Sequence, residues 1–366
     1  MHFMSSAYCH VSSPVATLQT VPGMVCRSSQ GHSRERPLFS GCTRGRFLAR
    51  GAESADAWHG AAVDPSGTRS HARLWVPSNG NMATIPDINV FRRRETLPVA
   101  TAGTRRLGPA AVRRDPVAAA AVANVRDFDA FLRDRFKRDG WDNDGGALDL
   151  IVHDRTVPAN AAWIGDGMRV GDAGGEFVRS PAQSPQFVAH EMSHGLVWSS
   201  APSLGEGKFE AAVDESMADV MSSVYTRDWK FAEDITATGK PVRDLADPQV
   251  RHARELPTTD AAIKAADPHL LAGVPSLAAV RVADKLGLET TGDLWYRAID
   301  DHLDSRARDA SSGVGVFAAA ARATLDAASQ VHGNGSTEFN AVRDAWLSVG
   351  VQPRWRPSSR TGPDLD

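Results

Sequence analysis

The sequence predicts an α+β protein of two lobes, a mixed αβ lobe followed by an all-helical one, with a cleft between them. Strand-like apolar runs fall at residues 148–153 and around 163–170, ahead of the helical region. Beyond about residue 200 the apolar residues recur only at helical spacing. Between the two regions sits a short run, His190-Glu191-Met192-Ser193-His194, that carries chemistry as well as structure.

At 366 residues and 42% hydrophobic content the chain is long enough for two sizeable cores. No apolar run approaches the roughly 20 residues of a membrane span. Residues 1–81 are rich in Ser, Gly, Arg and Pro, show little periodicity and contain all three cysteines, Cys9, Cys26 and Cys42. They are expected to be a disordered leader or an extension upstream of a start at Met82. Their first residues lack the basic cluster and unbroken apolar core of a secretory signal. The first 120 residues carry 15 Lys/Arg against 7 Asp/Glu, so a basic leader precedes an acidic body.

Residues 82–120 are expected to form a short connecting segment. An αβ lobe then runs over 121–205, a helical lobe over 206–351 and a tail over 352–366. Asp127, Phe128, Phe131, Leu132 and Phe136 mark an amphipathic helix stopped by Gly140, and the two strands follow. Ser184-Pro185 reads as an N-cap and first helical residue, opening a helix whose apolar face is Phe187, Val188, Met192, Leu196 and Val197. Apolar residues at 213, 217, 220, 221 and 224 define the next helix. Pro275 is expected to open a helix closed by Gly287, with others near 291–303, 312–330 and 337–349.

On a helix, positions four apart share a face. His190 and His194 can therefore offer imidazole nitrogens to one metal ion, and Glu191 can reach a water on it. A tetrahedral zinc with catalytic use needs a third protein ligand and one open position. Glu215 and Asp219 share a face of the next helix, so one carboxylate can bind metal while the other orients a ligand histidine. Taken singly, each acid is a solvated surface group; the paired spacing after His-Glu-x-x-His argues against coincidence.

Residues 188–195 and Asp214-Glu215-Ser216-Met217-Ala218-Asp219 closely resemble the thermolysin family of zinc endopeptidases, gluzincins whose third ligand is a glutamate on a second helix. Asn160-Ala161-Ala162-Trp163 resembles the family's substrate-binding edge strand, and residues 242–248 the segment whose arginine supports the ligand helix. Residues 294–299 and 341–346 resemble its C-terminal helices, so the likeness covers roughly 88–351. Residues 91–116 resemble the junction between propeptide and mature enzyme in the protealysin-like branch, which implies that 82–120 is a short propeptide-like segment.

The resemblance implies one catalytic Zn2+ on His190, His194 and Glu215, with Asp219 behind His190 and Glu191 as general base. It further implies His269 at the oxyanion, and Asn160, Ala161 and Arg243 toward the substrate backbone. The expected partners are peptides or proteins, with no nucleic acid or membrane, and the expected state is a monomer. Secretion is implied, against the lack of a visible signal, which points to a cytoplasmic protein or non-classical export.

Departures from the family pattern stand beside these matches. Ala266-Asp267-Pro268 replaces the family's residues before the histidine, Lys264 stands where its orienting aspartate lies, leaving Asp267 or Asp260 to substitute, and the 199–207 linker has no tyrosine. The calcium cluster is matched only in part, by Asp228, Glu233 and Asp234, with Gln186 and Thr226 where acids are expected. A catalytically weak or silent zinc-binding relative is thus the alternative to an endopeptidase. An aminopeptidase ranks behind both, because no acidic anchor for a free amine is present.

Overall fold

The computed structural model describes residues 104–353, apart from short breaks at 147, 166, 206, 249–252, 255–259 and 311–312, together with strand segments 62–63, 69–70 and 72–77. All of these lie in the unit Ala61–Asp366. The three cysteines, Met82, residues 91–103 of the 91–116 junction and the tail beyond 353 lie outside the described residues. Of Asp260 and Lys264 only the backbone is described.

Two short strands, β1 (Ala62–Val63) and β2 (Arg69–Ser70), pair with each other. The main sheet has five strands in the order β4-β3-β5-β7-β6, namely β3 (Ala72–Pro77), β4 (Thr104–Arg106), β5 (Leu148–Val152), β6 (Ala161–Trp163) and β7 (Gly167–Val170). β3, β5 and β7 run parallel, and β6 turns back antiparallel to β7 as an edge. Two differences from the sequence appear here. The run around 163–170 divides into β6 and β7, and β3 falls in a stretch to which sequence periodicity assigns no element.

Helix α1 (Pro109–Arg114) leads into α2 (Pro116–Phe136), which begins well before the 127–136 amphipathic stretch. The reason is local: the Asp115 carboxylate accepts from Val117 N (3.0 Å) and Ala118 N (3.1 Å), and Pro116 fills the first helical position. The helix closes on Lys137 in the left-handed region, not at Gly140. Then α3 (Pro185–Ser200) and α4 (Lys208–Thr226) pack side by side against the sheet and the helical lobe.

A two-stranded ribbon, β8 (Lys230–Phe231) with β9 (Arg243–Asp244), follows α4. The rest is helical: α5 (Asp260–Ala265), α6 (Pro268–Leu286), α7 (Leu288–Arg297), a single π-helical turn (Ala298–His302), α8 (Leu303–Arg308), α9 (Val314–His332) and α10 (Thr337–Ser348). Pro275 does not open a helix, as the sequence suggested, but lies inside α6. Asp267 captures the start instead, its carboxylate accepting from His269 N at 2.8 Å with Pro268 at the first position. The missing N–H of Pro275 costs the helix one internal bond, which packing against α4 offsets.

The helical lobe is built on Trp295, Phe317 and Trp346, all wholly buried, with the Trp346 indole N–H satisfied by Thr324 Oγ1 at 2.8 Å. Gly292 permits the α4–α7 approach, since a Cβ there would lie 2.6 Å from Val224. Among the described residues no helix is long and apolar enough to cross a membrane.

His153, just past β5, ties the sheet to α2. Its Nε2 lies 2.8 Å from Asp115 Oδ2 and its Nδ1 contacts Asp172. Burial pushes the imidazole pKa down, but the two carboxylates outweigh it and leave it raised. Burial raises Asp115 and its hydrogen bonds lower it, with a net depression. A raised His contributes fully below its unfolded pKa of 6.5 and loses that contribution as pH climbs through the folded value. A depressed Asp contributes above 3.8 and loses it on acidification. His153→Asn is therefore expected to lower stability most between those two pH values, by about 1 kcal/mol or less for a partly screened pair. Urea unfolding at pH 5 and pH 9 checks this, and an equal penalty at both contradicts it.

Candidate metal centre and active site

Helix α3 starts as its sequence requires, with Ser184 Oγ accepting from Phe187 N (3.4 Å) and Pro185 in the first turn. It is buried from Gln186 through Val197. One turn apart on it, His190 and His194 bring their Nε2 atoms to 3.2 Å. Helix α4 supplies Glu215, whose Oε2 lies 3.3 Å from His190 Nε2 and whose Oε1 lies 3.8 Å from His194 Nε2. Among the described residues these three form the one group of His, Cys, Asp or Glu with ligand atoms all within 4.8 Å of one another. Two imidazoles and a carboxylate suit a tetrahedral zinc that keeps one position open.

The outward nitrogens are held as well. His190 Nδ1 lies 2.9 Å from Asp219 Oδ1, and Asp219 is 1% exposed. A buried carboxylate needs compensation, and Arg243 provides it from β9, its Nε donating to Asp219 Oδ2 at 2.9 Å. The guanidinium in turn lies 3.7 Å from the ring centre of Phe231, its partner across the β8–β9 ribbon. His194 Nδ1 lies 3.2 Å from Asp214 Oδ1. Sequence spacing missed that aspartate, because it directly precedes Glu215 and neighbours in a helix do not share a face.

Glu191 is buried beside the cluster, and its Oε2 accepts from Trp163 N at 2.8 Å. On either side of β6, Asn160 O accepts from Gly171 N and Ile164 N donates to Gly167 O. The alternation of an antiparallel pair then turns the backbone groups of Ala161 and Trp163 away from β7. Trp163 spends its N–H on Glu191; the Ala161 carbonyl lies on that same open edge. Gly195 allows the contact between α3 and β6, since a Cβ there would sit 2.5 Å from the Trp163 ring.

From the helical lobe, His269 brings Nε2 to 3.4 Å from Glu215 Oε1 and Nδ1 to 3.0 Å from Asp267 Oδ1. The same aspartate that caps α6 thus orients the histidine. Tyr225 packs on Phe128 and Phe131, and Tyr296 bonds Asp300 (3.3 Å). Neither described tyrosine makes a recorded contact with the cluster.

Asp228, Glu233 and Asp234 do not gather. Asp228 Oδ1 accepts from Lys230 N, Glu233 pairs with Lys230, and Asp234 Oδ1 accepts from Ser184 Oγ at 2.9 Å. Gln186, in place of an acid, donates to the Asp228 carbonyl (2.9 Å) and accepts from Ala232 N (3.0 Å), joining α3 to this segment by neutral hydrogen bonds.

Electrostatics follow from this crowding. Burial alone would lower His194, but Asp214, Glu215 and Glu191 lift it to about 10. His190 is likewise raised against burial by Asp219 and Glu215. Burial pushes Glu191 up despite the two histidines. Asp219 and Glu215 are held well below the usual carboxylate range by Arg243 and the histidines, which outweigh their burial. Glu215 raises His269.

Family models described as thermolysin metallopeptidase, catalytic domain, and thermolysin metallopeptidase, alpha-helical domain, match residues 96–198 and 209–351. Neutral protease NprE of Bacillus pumilus is 32% identical over 229 residues, 60% of this chain and 72% of that protein. Bacillolysin of Bacillus subtilis (strain 168) is 32% identical over the same length but is covered over only 42% of its own. Extracellular elastase of Staphylococcus epidermidis is 27% identical over 234 residues and is covered over 44%. In fold, the chain is similar to the precursor of protealysin, a metalloproteinase from Serratia proteamaculans, with a TM-score of 0.60. That likeness covers 76% of this chain and 87% of the other at 24% identity.

Metal ligands must be deprotonated to bind, and without metal the His194 ring keeps its proton through neutral pH. Adding Zn2+ to metal-free protein at pH 7 is expected to saturate at one ion per chain and to release at least one proton. Calorimetry in buffers of different ionisation enthalpy measures both. Uptake without proton release contradicts the protonated cluster, and His194→Ala should abolish tight binding.

Proposed function

The chain belongs to the thermolysin metallopeptidase family, and from that premise we propose that it is a zinc-dependent endopeptidase. The observation that carries this is the convergence of His190, His194 and Glu215 with a buried glutamate alongside. His190, His194 and Glu215 hold the zinc, with Asp219 and Asp214 orienting the two imidazoles. When bound, zinc supplies Lewis acidity that acidifies water and polarises a carbonyl oxygen.

The chain's own groups do the rest. The open edge of β6 receives an extended peptide as an added strand, with the Ala161 carbonyl and Asn160 as anchors. Glu191, its pKa raised by burial, accepts a proton from water and returns it to the departing amine. His269, oriented by Asp267 and with its pKa raised chiefly by Glu215, donates from Nε2 to the oxygen that gains negative charge. Arg243 acts through Asp219, holding the His190 ring in place. The substrates are peptides or unfolded proteins. Secretion is proposed by analogy with the extracellular elastase of Staphylococcus epidermidis.

Cleavage of unfolded casein tests the proposal. Purified protein is expected to cut casein in a chelator-sensitive manner, and Glu191→Gln to lower kcat by at least about a hundredfold while keeping one zinc. Bound zinc with no cleavage by the wild type favours a silent zinc-binding relative, for which the missing linker tyrosine is the motive. His269→Ala is expected to lower kcat by about two orders of magnitude with zinc content unchanged. A change confined to KM removes His269 from the oxyanion.

A further inference from the structure

The link between the two ligand helices is gripped from the helical lobe. It leaves α3 at Ser200 and enters α4 at Lys208, and on the way Pro202 and Leu204 line a small cavity together with Trp163, His194 and Asp214. The link is therefore a wall beside the metal ligands. Two carboxylates hold it. Ser200 Oγ donates to Asp300 Oδ1 at 3.0 Å, and Ser203 N donates to Asp304 Oδ1 at 2.7 Å.

Asp300 sits within the π-helical turn Ala298–His302, a wide turn that is rare and often found at functional sites. Behind it lies Arg138, 1% exposed, which donates to Asp300 Oδ1 (2.7 Å), to Ser199 Oγ (2.7 Å) and to the Trp141 carbonyl (2.8 Å). A buried ion pair of this kind adds little stability over apolar packing. The two terminal nitrogens of Arg138, Nη1 and Nη2, are spent on fixing where α3 ends and how the link departs.

We infer that Asp300 and Asp304 are positioning residues for substrate, holding the α3–α4 link as one wall of the cleft at the His194 side. The inference rests on the endopeptidase reading. Loss of the grip loosens the wall against which the bound peptide lies, without touching the zinc ligands or Glu191, so it acts on substrate affinity.

The test uses the full chain, with kcat and KM on an extended peptide, zinc content, and hydrogen–deuterium exchange across residues 199–208. Asp304 is chosen because its ion partner Arg308 is exposed, whereas loss of Asp300 strands the buried Arg138. Asp304→Ala is expected to raise KM about tenfold, with kcat and zinc content near wild type and faster exchange at the link. Asp304→Asn, which keeps an acceptor oxygen, should restore most of the affinity. Arg308→Ala, which removes only the exposed ion partner of Asp304, should leave KM unchanged. An active wild type whose KM is unmoved in Asp304→Ala, or whose exchange at the link is unchanged, overturns the inference. A wild type that binds zinc and cleaves nothing overturns the endopeptidase reading instead, and the inference with it.

Discussion

Two helices packed side by side each present a pair of functional residues four positions apart: His190 and His194 on α3, Glu215 and Asp219 on α4. Their facing pairs create a buried cluster of opposite charges, and the surrounding structure is arranged to make that cluster tolerable. Asp219 is almost wholly enclosed, so it is paired on both sides, by His190 Nδ1 and by the Arg243 guanidinium. Arg243 has to arrive from outside the helices, and the β8–β9 ribbon brings it over the Phe231 ring.

The balance of charge around the ligands explains why so few groups are free to move. Glu191, Asp214, Glu215 and Asp219 stand against His190, His194, His269 and Arg243, each carboxylate within reach of a cation or a backbone donor. Removing one partner from such a set leaves another buried and unpaired, at a cost of several kcal/mol. A divalent cation held here would have to displace any proton on the ligand imidazoles, whose pKa values the neighbouring acids raise. The same acids that raise the histidines' affinity for protons therefore prepare the site for metal.

Both lobes contribute residues to the proposed site, and each contribution is anchored. The sheet's edge strand reaches Glu191 through the Trp163 amide, made possible by the absence of a side chain at Gly195. The helical lobe delivers His269 at the start of α6, where one aspartate serves as both helix cap and ring partner. Arg138 locks the end of α3 to the π-helical turn, so the link between the ligand helices is held on its outer side too. Gln186 joins α3 to the segment after α4 by neutral hydrogen bonds to the Asp228 carbonyl and the Ala232 N–H.

How much was legible in the sequence follows from how local each feature is. The spacing of His190, Glu191 and His194, the pairing of Glu215 with Asp219, and the Ser184-Pro185 start could be read directly, because helix geometry alone places residues four apart on one face. The two lobes were legible as a change of apolar period. Local rules failed where a competing local signal or a distant partner decided. Asp115 began α2 eleven residues before its amphipathic stretch, and the Asp267 cap overrode Pro275 as the start of α6. Asp214 against His194, Arg243 against Asp219, and Arg138 against Asp300 join residues on separate elements. Their meeting depends on how α2, α3, α4 and the helical lobe pack, and no periodicity in a single segment records it. The sequence by itself determined the metal-binding face and the fold class; the tertiary structure decided which buried charges meet, because only packing brings them out of water and within bonding distance.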